Sequence, residues 1–205
     1  MNPDFPRLDD PMELAIRWVG EALETAPDPG IAKRSEWATA MSLATADAQG
    51  RPSVRYVLLK GVDARGFSFY TNRESRKGLE LDARPHAAIA IWWPWQNRQI
   101  RAEGDVVRLS DAESDAYFAT RPRLSQIGAW ASMQSRELRD PADLERRVAE
   151  MEVRFPGNVP RPPHWGGYLL QPERVEFWTA REGRLHERIV AIRTAKGFRT
   201  SRLQP

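Results

Sequence analysis

Residues 55–78 read RYVLLKGVDARGFSFYTNRESRKG, two apolar runs around a turn that contains Asp63 and Gly66. Val, Leu, Phe and Tyr dominate both runs, which predicts half-buried strands joined as a hairpin through Asp63–Gly66. Cations stand on or just after that hairpin, among them Arg55, Lys60, Arg76 and Lys77. Cations at buried strands are costly unless something anionic meets them, so a phosphate site is one reading. Solvated ends of edge strands are the other, and the local sequence leaves both open.

Outward from this stretch the same pattern repeats. ATAMSLATA at 38–46 predicts a first strand, 52–61 a second and 66–71 a third. Ser75–Leu81 predicts a short helix, and 86–95 and 98–109 a further pair of strands. Successive hairpins of this kind predict a closed or nearly closed antiparallel barrel. Towards the N-terminus, Asp10 and Pro11 suit an N-cap and first turn. Leu14, Trp18, Val19, Ala22 and Leu23 then form one helical stripe. Residues 1–10 carry no periodicity and are expected to be a flexible arm before one domain spanning 11–205.

Beyond the strands the chain turns helical. Ser110 and Glu113 have capping-box spacing at the head of a helix to Thr120. Further helices are expected at 125–132 and 141–155, the last with Leu144, Val148 and Met151 inward. The C-terminal part predicts strands at 165–172, 174–180, 184–193 and 198–203.

Composition narrows the function classes. The 205 residues are 41% hydrophobic and 29% charged, with a net charge of +3 and no cysteine. Disulfides, thiolate metal sites and a cysteine nucleophile are therefore excluded. No apolar run approaches bilayer length, and the first residues lack a signal-peptide pattern, so a cytoplasmic protein is expected. Cations are spread without long like-charge blocks, which argues against nucleic-acid binding but not against small anions. Eight Trp residues suit an aromatic core, interfaces or flat ligand pockets.

Two constellations carry chemistry. Tyr117, Arg121 and Ser125 recur at helical spacing, with Pro122 turning the last step, and a phenol, guanidinium and hydroxyl together form a donor cluster for phosphate. In RLHER at 184–188, strand alternation would put Arg184, His186 and Arg188 on one face; a solvated outer face explains the same pattern. With three histidines (His86, His164, His186) no His-rich metal site is expected, and no GxSxG, HExxH or GxxxxGK[ST] occurs. If the chain is an enzyme, its hard chemistry belongs to a bound organic cofactor.

RYVLLK, FYTNRESRKG, RQIRAEG, ESDAYFATRPRLSQIGAWASMQS, VPRPPHWGGY, VEFW, RLHER and the closing RLQP resemble, in order and spacing, the pyridoxamine 5′-phosphate oxidase family. The resemblance covers about residues 38–205. It implies a mainly β fold with peripheral helices, the antiparallel Greek-key FMN-binding split barrel, and a homodimer with two FMN sites at its interface. It also implies oxidation of pyridoxamine or pyridoxine 5′-phosphate to pyridoxal 5′-phosphate, with O2 consumed and H2O2 released.

Carried over by position, Arg55, Tyr56, Val57, Leu58, Leu59, Lys60, Tyr70, Thr71, Arg76, Lys77 and Gln99 match FMN contacts. Gln134, Ser135, Trp178 and Arg188 match contacts that complete the FMN site from the partner subunit. Lys60, Tyr117, Arg121 and Ser125 match the substrate-phosphate cluster. Arg184, Leu185 and His186 match the segment that covers the substrate ring, with Arg184 and His186 as its catalytic pair. Glu187 replaces the family's usual Asp, and the N-terminal arm lacks the Arg/Tyr-rich lid of some members. RLHER and RLQP also resemble the related phenazine-pathway oxidases, a second reading; a non-catalytic flavin- or pyridoxal-phosphate-binding protein on the same barrel is a third. Strand parity, finally, predicts that Arg55 and Lys60 face opposite ways.

Overall fold

The structure is a computed structural model that describes residues 10–28, 30 and 33–205. Apart from Asp10, the expected N-terminal arm lies outside the described residues. Helix α1 (Pro11–Thr25) starts as its sequence predicts, with the Asp10 carboxylate accepting from the Met12 amide at 2.8 Å. Its buried stripe is Met12, Leu14, Ala15, Trp18, Val19 and Ala22, whereas Leu23 is exposed. A short helix α2 (Arg34–Thr39) follows, so the first strand, β1 (Ala40–Ala46), begins two residues later than expected.

The remaining strands are β2 (Pro52–Leu58), β3 (Gly61–Asp63), β4 (Gly66–Asn72), β5 (His86–Trp93), β6 (Arg98–Arg108), β7 (Trp165–Thr179), β8 (Glu187–Thr194) and β9 (Gly197–Arg202). Helices α3 (Arg76–Ala83), α4 (Asp111–Ala119), α5 (Arg123–Ala131) and α6 (Pro141–Arg154) complete the chain. The sheet runs β2-β1-β5-β6-β7-β4-β3, with β8 and β9 attached to β7. All pairs are antiparallel.

The expected hairpin from residue 55 to residue 72 is thus not one hairpin. β2 pairs with β1 and not with β4, which pairs with β3 and β7. Between β2 and β3 lie Leu59 and Lys60, whose amides donate to Thr39 O at 2.8 Å and Ser68 O at 2.9 Å. This two-residue step carries the chain from one end of the strand order to the other, and so curls the sheet into a barrel.

β7 is a single strand where two were expected. Its first half pairs with β4 and its second with β8, while β6 runs along both. Pro172 is tolerated because the β6–β7 register shifts between Glu103 and Gly104. A Cβ on Gly104 would lie 2.1 Å from Gln171 O, so only glycine lets the strands close at this bulge. Here the sheet divides, and the barrel is split.

Two apolar clusters result. α1 packs into the barrel core with Phe67, Phe69, Ile91, Trp93, Ile100 and Phe177; Trp18 meets Phe177 edge-on at 5.3 Å. Helices α4 to α6 build a second cluster around Phe118, Ile127, Val159 and Trp165. Val148 and Met151 of α6 pack against it half-buried, and no residue of α6 is fully buried. That second cluster holds α4 and α5 beside the open side of β4.

Candidate functional site

A cleft of about 740 Å³ lies between the end of β2, β4, α3, α4 and α5. Of the residues predicted from sequence, Tyr56, Val57, Leu58, Lys60, Tyr70, Thr71, Lys77, Tyr117, Arg121, Ser125 and Gln134 all line it. Leu59 does not; it is buried in the barrel core.

One group of polar atoms centres on Lys77. Ser75 caps α3, and its hydroxyl, Thr71 Oγ1 and Gln134 Oε1 lie 3.1, 3.1 and 3.2 Å from Lys77 Nζ. Lys77 is 8% exposed, and among the described residues no carboxylate bonds to it. Burial and, secondarily, repulsion from Arg55 lower its pKa to about 8. An ammonium held only by neutral oxygens is prepared for an anion. Gln134 reaches Lys77 from the same chain, whereas the resemblance implied that the partner subunit brings it.

Arg55 and Arg76 are organised by Glu80, a residue the sequence did not single out. Glu80 Oε2 accepts from Ser53 at 2.6 Å, from Arg55 at 3.0 Å and from Thr45; Oε1 accepts from Arg76 Nε at 2.8 Å. Burial pushes this carboxyl up, but hydrogen bonds from Ser53, Thr45, Arg76 and Arg55 outweigh it and bring it to about 2. Arg55 also donates to Leu43 O, Thr45 and Ser53, which occupies both terminal nitrogens. It is a strut behind the cleft wall. Arg76 instead bonds through Nε and keeps both terminal nitrogens free among the described residues.

The second group surrounds Arg121. Lys60 Nζ lies 6.0 Å from the Tyr117 ring centre, and the Arg121 guanidinium lies 4.7 Å from that of Trp165. Arg121 Nη1 is buried without a partner, and burial lowers this guanidinium's pKa. Tyr70 stacks on Tyr117 at 4.1 Å and on Trp165 at 5.5 Å, joining the two polar groups by one aromatic wall. Lys60 and Arg55 are separated as expected, but by the break after Leu58 and not by parity along one strand.

The remaining predicted residues lie elsewhere. Gln99, Trp178 and Arg188 form one row across β6, β7 and β8. A second cleft, about 510 Å³, is lined by Arg181, Leu185, His186, Glu187, Arg188, Arg202 and Leu203. It shares no residue with the first. The expected strand at RLHER starts only at Glu187, because Gly183 and Arg184 adopt φ of +65° and +60° and prolong the turn. Arg184 and Leu185 are exposed, Leu185 at 71%. His186 Nδ1 accepts from the Arg181 amide at 3.2 Å, so the neutral ring carries its proton on Nε2. Arg188 Nε donates to Glu176 at 2.8 Å and its Nη1 to Gln204 O at 2.9 Å. Ser135, at φ +72°, is exposed beyond Gln134.

His86 pairs with Asp105, and His164 bonds to the carbonyl of Ala129, a residue of the main cleft's lining; neither histidine lines either cleft itself. Among the described residues no cluster of His, Asp or Glu is placed to hold a metal, and no helix is long and apolar enough to cross a membrane.

Residues 31–155 match the family model described as pyridoxamine 5′-phosphate oxidase. The chain belongs to the pyridoxamine 5′-phosphate oxidase family. Residues 165–205 match a second model, the pyridoxine 5′-phosphate oxidase C-terminal dimerisation region, which contains the whole second cleft. A pyridoxine/pyridoxamine 5′-phosphate oxidase of Anaeromyxobacter dehalogenans is 59% identical over 82% of this chain and 85% of its own. One from Rubrobacter xylanophilus is 53% identical over 96% and 87%. Among solved structures, PhzG from Burkholderia lata, in complex with tetrahydrophenazine-1-carboxylic acid, superposes with a TM-score of 0.88. It is 34% identical and covers 100% of this chain and 98% of its own. In this chain the split barrel places two cationic groups in one cleft, and the RLHER turn borders the other.

Proposed function

We propose that the protein oxidises pyridoxamine 5′-phosphate and pyridoxine 5′-phosphate to pyridoxal 5′-phosphate in the cytoplasm, using FMN, with O2 as acceptor and H2O2 as product. The observation that carries this reading is one cleft with two cationic groups, Lys77 at one end and Lys60 with Arg121 at the other, joined by stacked rings. Two phosphates in one cleft require two such groups, and flat rings between them suit two planar ring systems.

When bound, FMN supplies a two-electron acceptor that dioxygen can reoxidise. The chain's own residues bind and orient. Lys77, Arg76 and the Ser75-capped start of α3 hold the cofactor phosphate. Lys60, Tyr117, Arg121 and Ser125 hold the substrate phosphate and so fix the reacting carbon. The region around the second cleft supplies Trp178, whose ring lies 4.6 Å from that of His186, and Arg188 to the cofactor, and Arg184 and His186 to the substrate ring, from the partner subunit of a homodimer. His186 then presents its Nε2–H as a donor, and Arg184 and His186 orient the substrate more than they exchange protons.

The likeness to PhzG favours a second reading, oxidation of a larger tricyclic substrate. A complete substrate-phosphate group argues against it, since Lys60 and Arg121 together match a phosphate dianion better than a single carboxylate.

Purified protein should be yellow and, given pyridoxamine 5′-phosphate in air, form aldehyde and peroxide together. Colour without turnover would leave a binding protein. Mixing inactive Arg121→Ala and Arg188→Ala chains tests the shared site. If the halves come from different subunits, heterodimers regain one intact site and about a quarter of wild-type activity returns. Arg184→Ala with unchanged turnover and affinity would remove that residue's role.

A further inference from the structure

Arg121 is held in an unusual way for a cation that must meet a phosphate. It stands in the turn between α4 and α5, and among the described residues its side chain bonds to no carboxylate and no other acceptor. Its neighbours are two ring faces, Trp165 at 4.7 Å and Phe118 at 5.6 Å. Among the described residues, these faces are what sets the plane of the guanidinium.

Of the two rings, Trp165 is the better anchored. It opens β7 opposite Asn72 of β4, its amide donates to Pro162 O at 3.0 Å, and its carbonyl accepts from Arg161 at 2.7 Å. The indole is 6% exposed, meets Phe118 edge-on at 5.1 Å and lies 7° from parallel to Tyr117. One fixed ring therefore touches Arg121 and runs parallel to Tyr117, two of the four groups proposed for the substrate phosphate.

We infer that Trp165 is a positioning residue. Its indole face holds the Arg121 guanidinium in the plane that a phosphate ester needs, without taking up any of its donors in a hydrogen bond. The inference rests on the proposed substrate-phosphate role of Arg121. A cation-π face suits this task because it restrains a guanidinium without consuming its hydrogen-bond donors. A carboxylate partner would compete with the ligand, as Glu80 does for Arg55. A turn alone would let the side chain swing into solvent, and the ligand would then have to order it on binding.

The test compares binding of pyridoxal 5′-phosphate with pyridoxal by the holoenzyme, followed by absorbance; the ratio of the two constants isolates the phosphate. Trp165→Leu keeps apolar volume without a ring face and should cut this ratio about tenfold, with a matching rise in KM and a smaller change in kcat. Trp165→Phe should restore most of it. In an Arg121→Leu background, Trp165→Leu should change the ratio no further. Equal effects of Leu and Phe, or an additive double variant, would overturn the inference and leave Trp165 as core packing. Should Trp165→Leu not fold, Arg121→Lys carries the test, because it keeps the charge but loses the planar stack; an unchanged ratio there also overturns it. Wild-type protein that binds pyridoxal 5′-phosphate without oxidising pyridoxamine 5′-phosphate would defeat the proposed activity. The ratio would still judge the Trp165–Arg121 pairing.

Discussion

The Lys77 ammonium lies 3.2 Å from the side-chain oxygen of Gln134, a residue 57 positions away, and this contact closes one end of the main cleft. Its oxygen partners are all neutral, so the positive charge is left for a ligand. Burial brings Lys77 to about 8 from the ordinary 10.5. Apoprotein therefore loses this charge as pH rises through about 8, while the phosphate of FMN stays a dianion. FMN affinity should fall between pH 7 and 9, by up to about tenfold per unit above the midpoint. Stability of the apoprotein from this group moves the other way, rising with pH from about 8 to 10.5, because there the unfolded chain binds more protons. Lys77→Met should weaken FMN binding by roughly 10- to 100-fold and flatten its pH dependence, as read by quenching of flavin fluorescence. A steep dependence that survives the substitution would place the titrating group elsewhere.

Glu80 supports the same end of the cleft from behind. Its carboxyl titrates at about 2 in the fold against an ordinary 4.5, so its contribution is complete above about 4.5 and is lost as pH falls towards 2. The shift corresponds to a contribution on the order of 3 kcal/mol. Glu80→Ala should destabilise the protein by about that amount at neutral pH, leaving Arg55 half-buried without its counter-ion. Denaturant unfolding at pH 7 and pH 3 should show the difference between variant and wild type shrinking in acid. A gap independent of pH would mean that lost packing, and not charge, is responsible.

Glu176 does for the second cleft what Glu80 does for the first. It is 2% exposed and bonds to Arg101, Arg174 and Arg188. Burial raises its pKa, but hydrogen bonds from Arg188 and Arg101 leave it lowered overall. Glu176→Leu should cost about 3–5 kcal/mol, because three guanidiniums then face one another without their counter-ion. Arg101→Gln, which alters the half-exposed end of the network, should cost under about 1 kcal/mol. Urea titration of both variants checks the ranking, and comparable losses would contradict it.

Much of this was legible from local chemistry. Asp10 and the Ser110–Glu113 box cap their helices as their spacing predicts, and Lys60, Tyr117, Arg121 and Ser125 do converge on one cleft. What escaped was non-local. No feature of residues 55–72 says that β2 prefers β1 to β4, since strand partners are chosen by the closing barrel. Pro172 reads as a strand break until Gly104 is seen opposite it, on a strand remote in sequence. RLHER alternates like a strand, yet left-handed Gly183 and Arg184 keep it in a turn. Glu80 sits four residues after Arg76, an ordinary helical spacing; its role depends on Arg55 arriving from β2.

The backbone under the aromatic wall gives the last prediction. Gly167 passes so close beneath the cleft that an added Cβ would lie 2.7 Å from Tyr70 Cε1 and 2.6 Å from Leu109 Cδ1. Both obstacles are side-chain ends, so the fold can yield by moving the ring. Gly167→Ala should therefore keep the barrel, at a loss of about 1–3 kcal/mol, and tilt Tyr70 away from Tyr117. FMN affinity should drop roughly 3- to 10-fold with the displaced ring, since small misplacements at such sites are felt strongly. Gly66→Ala provides the contrast. There the Cβ would lie 1.9 Å from the Leu170 carbonyl oxygen, at a φ of +147°, and neither the backbone nor the conformation can give. Thermal melts with and without FMN separate the two cases: Gly167→Ala should melt cooperatively with a reduced FMN-induced shift, whereas Gly66→Ala should not fold. A Gly167→Ala protein with wild-type FMN affinity would show that the position of the Tyr70 ring does not matter to the cofactor.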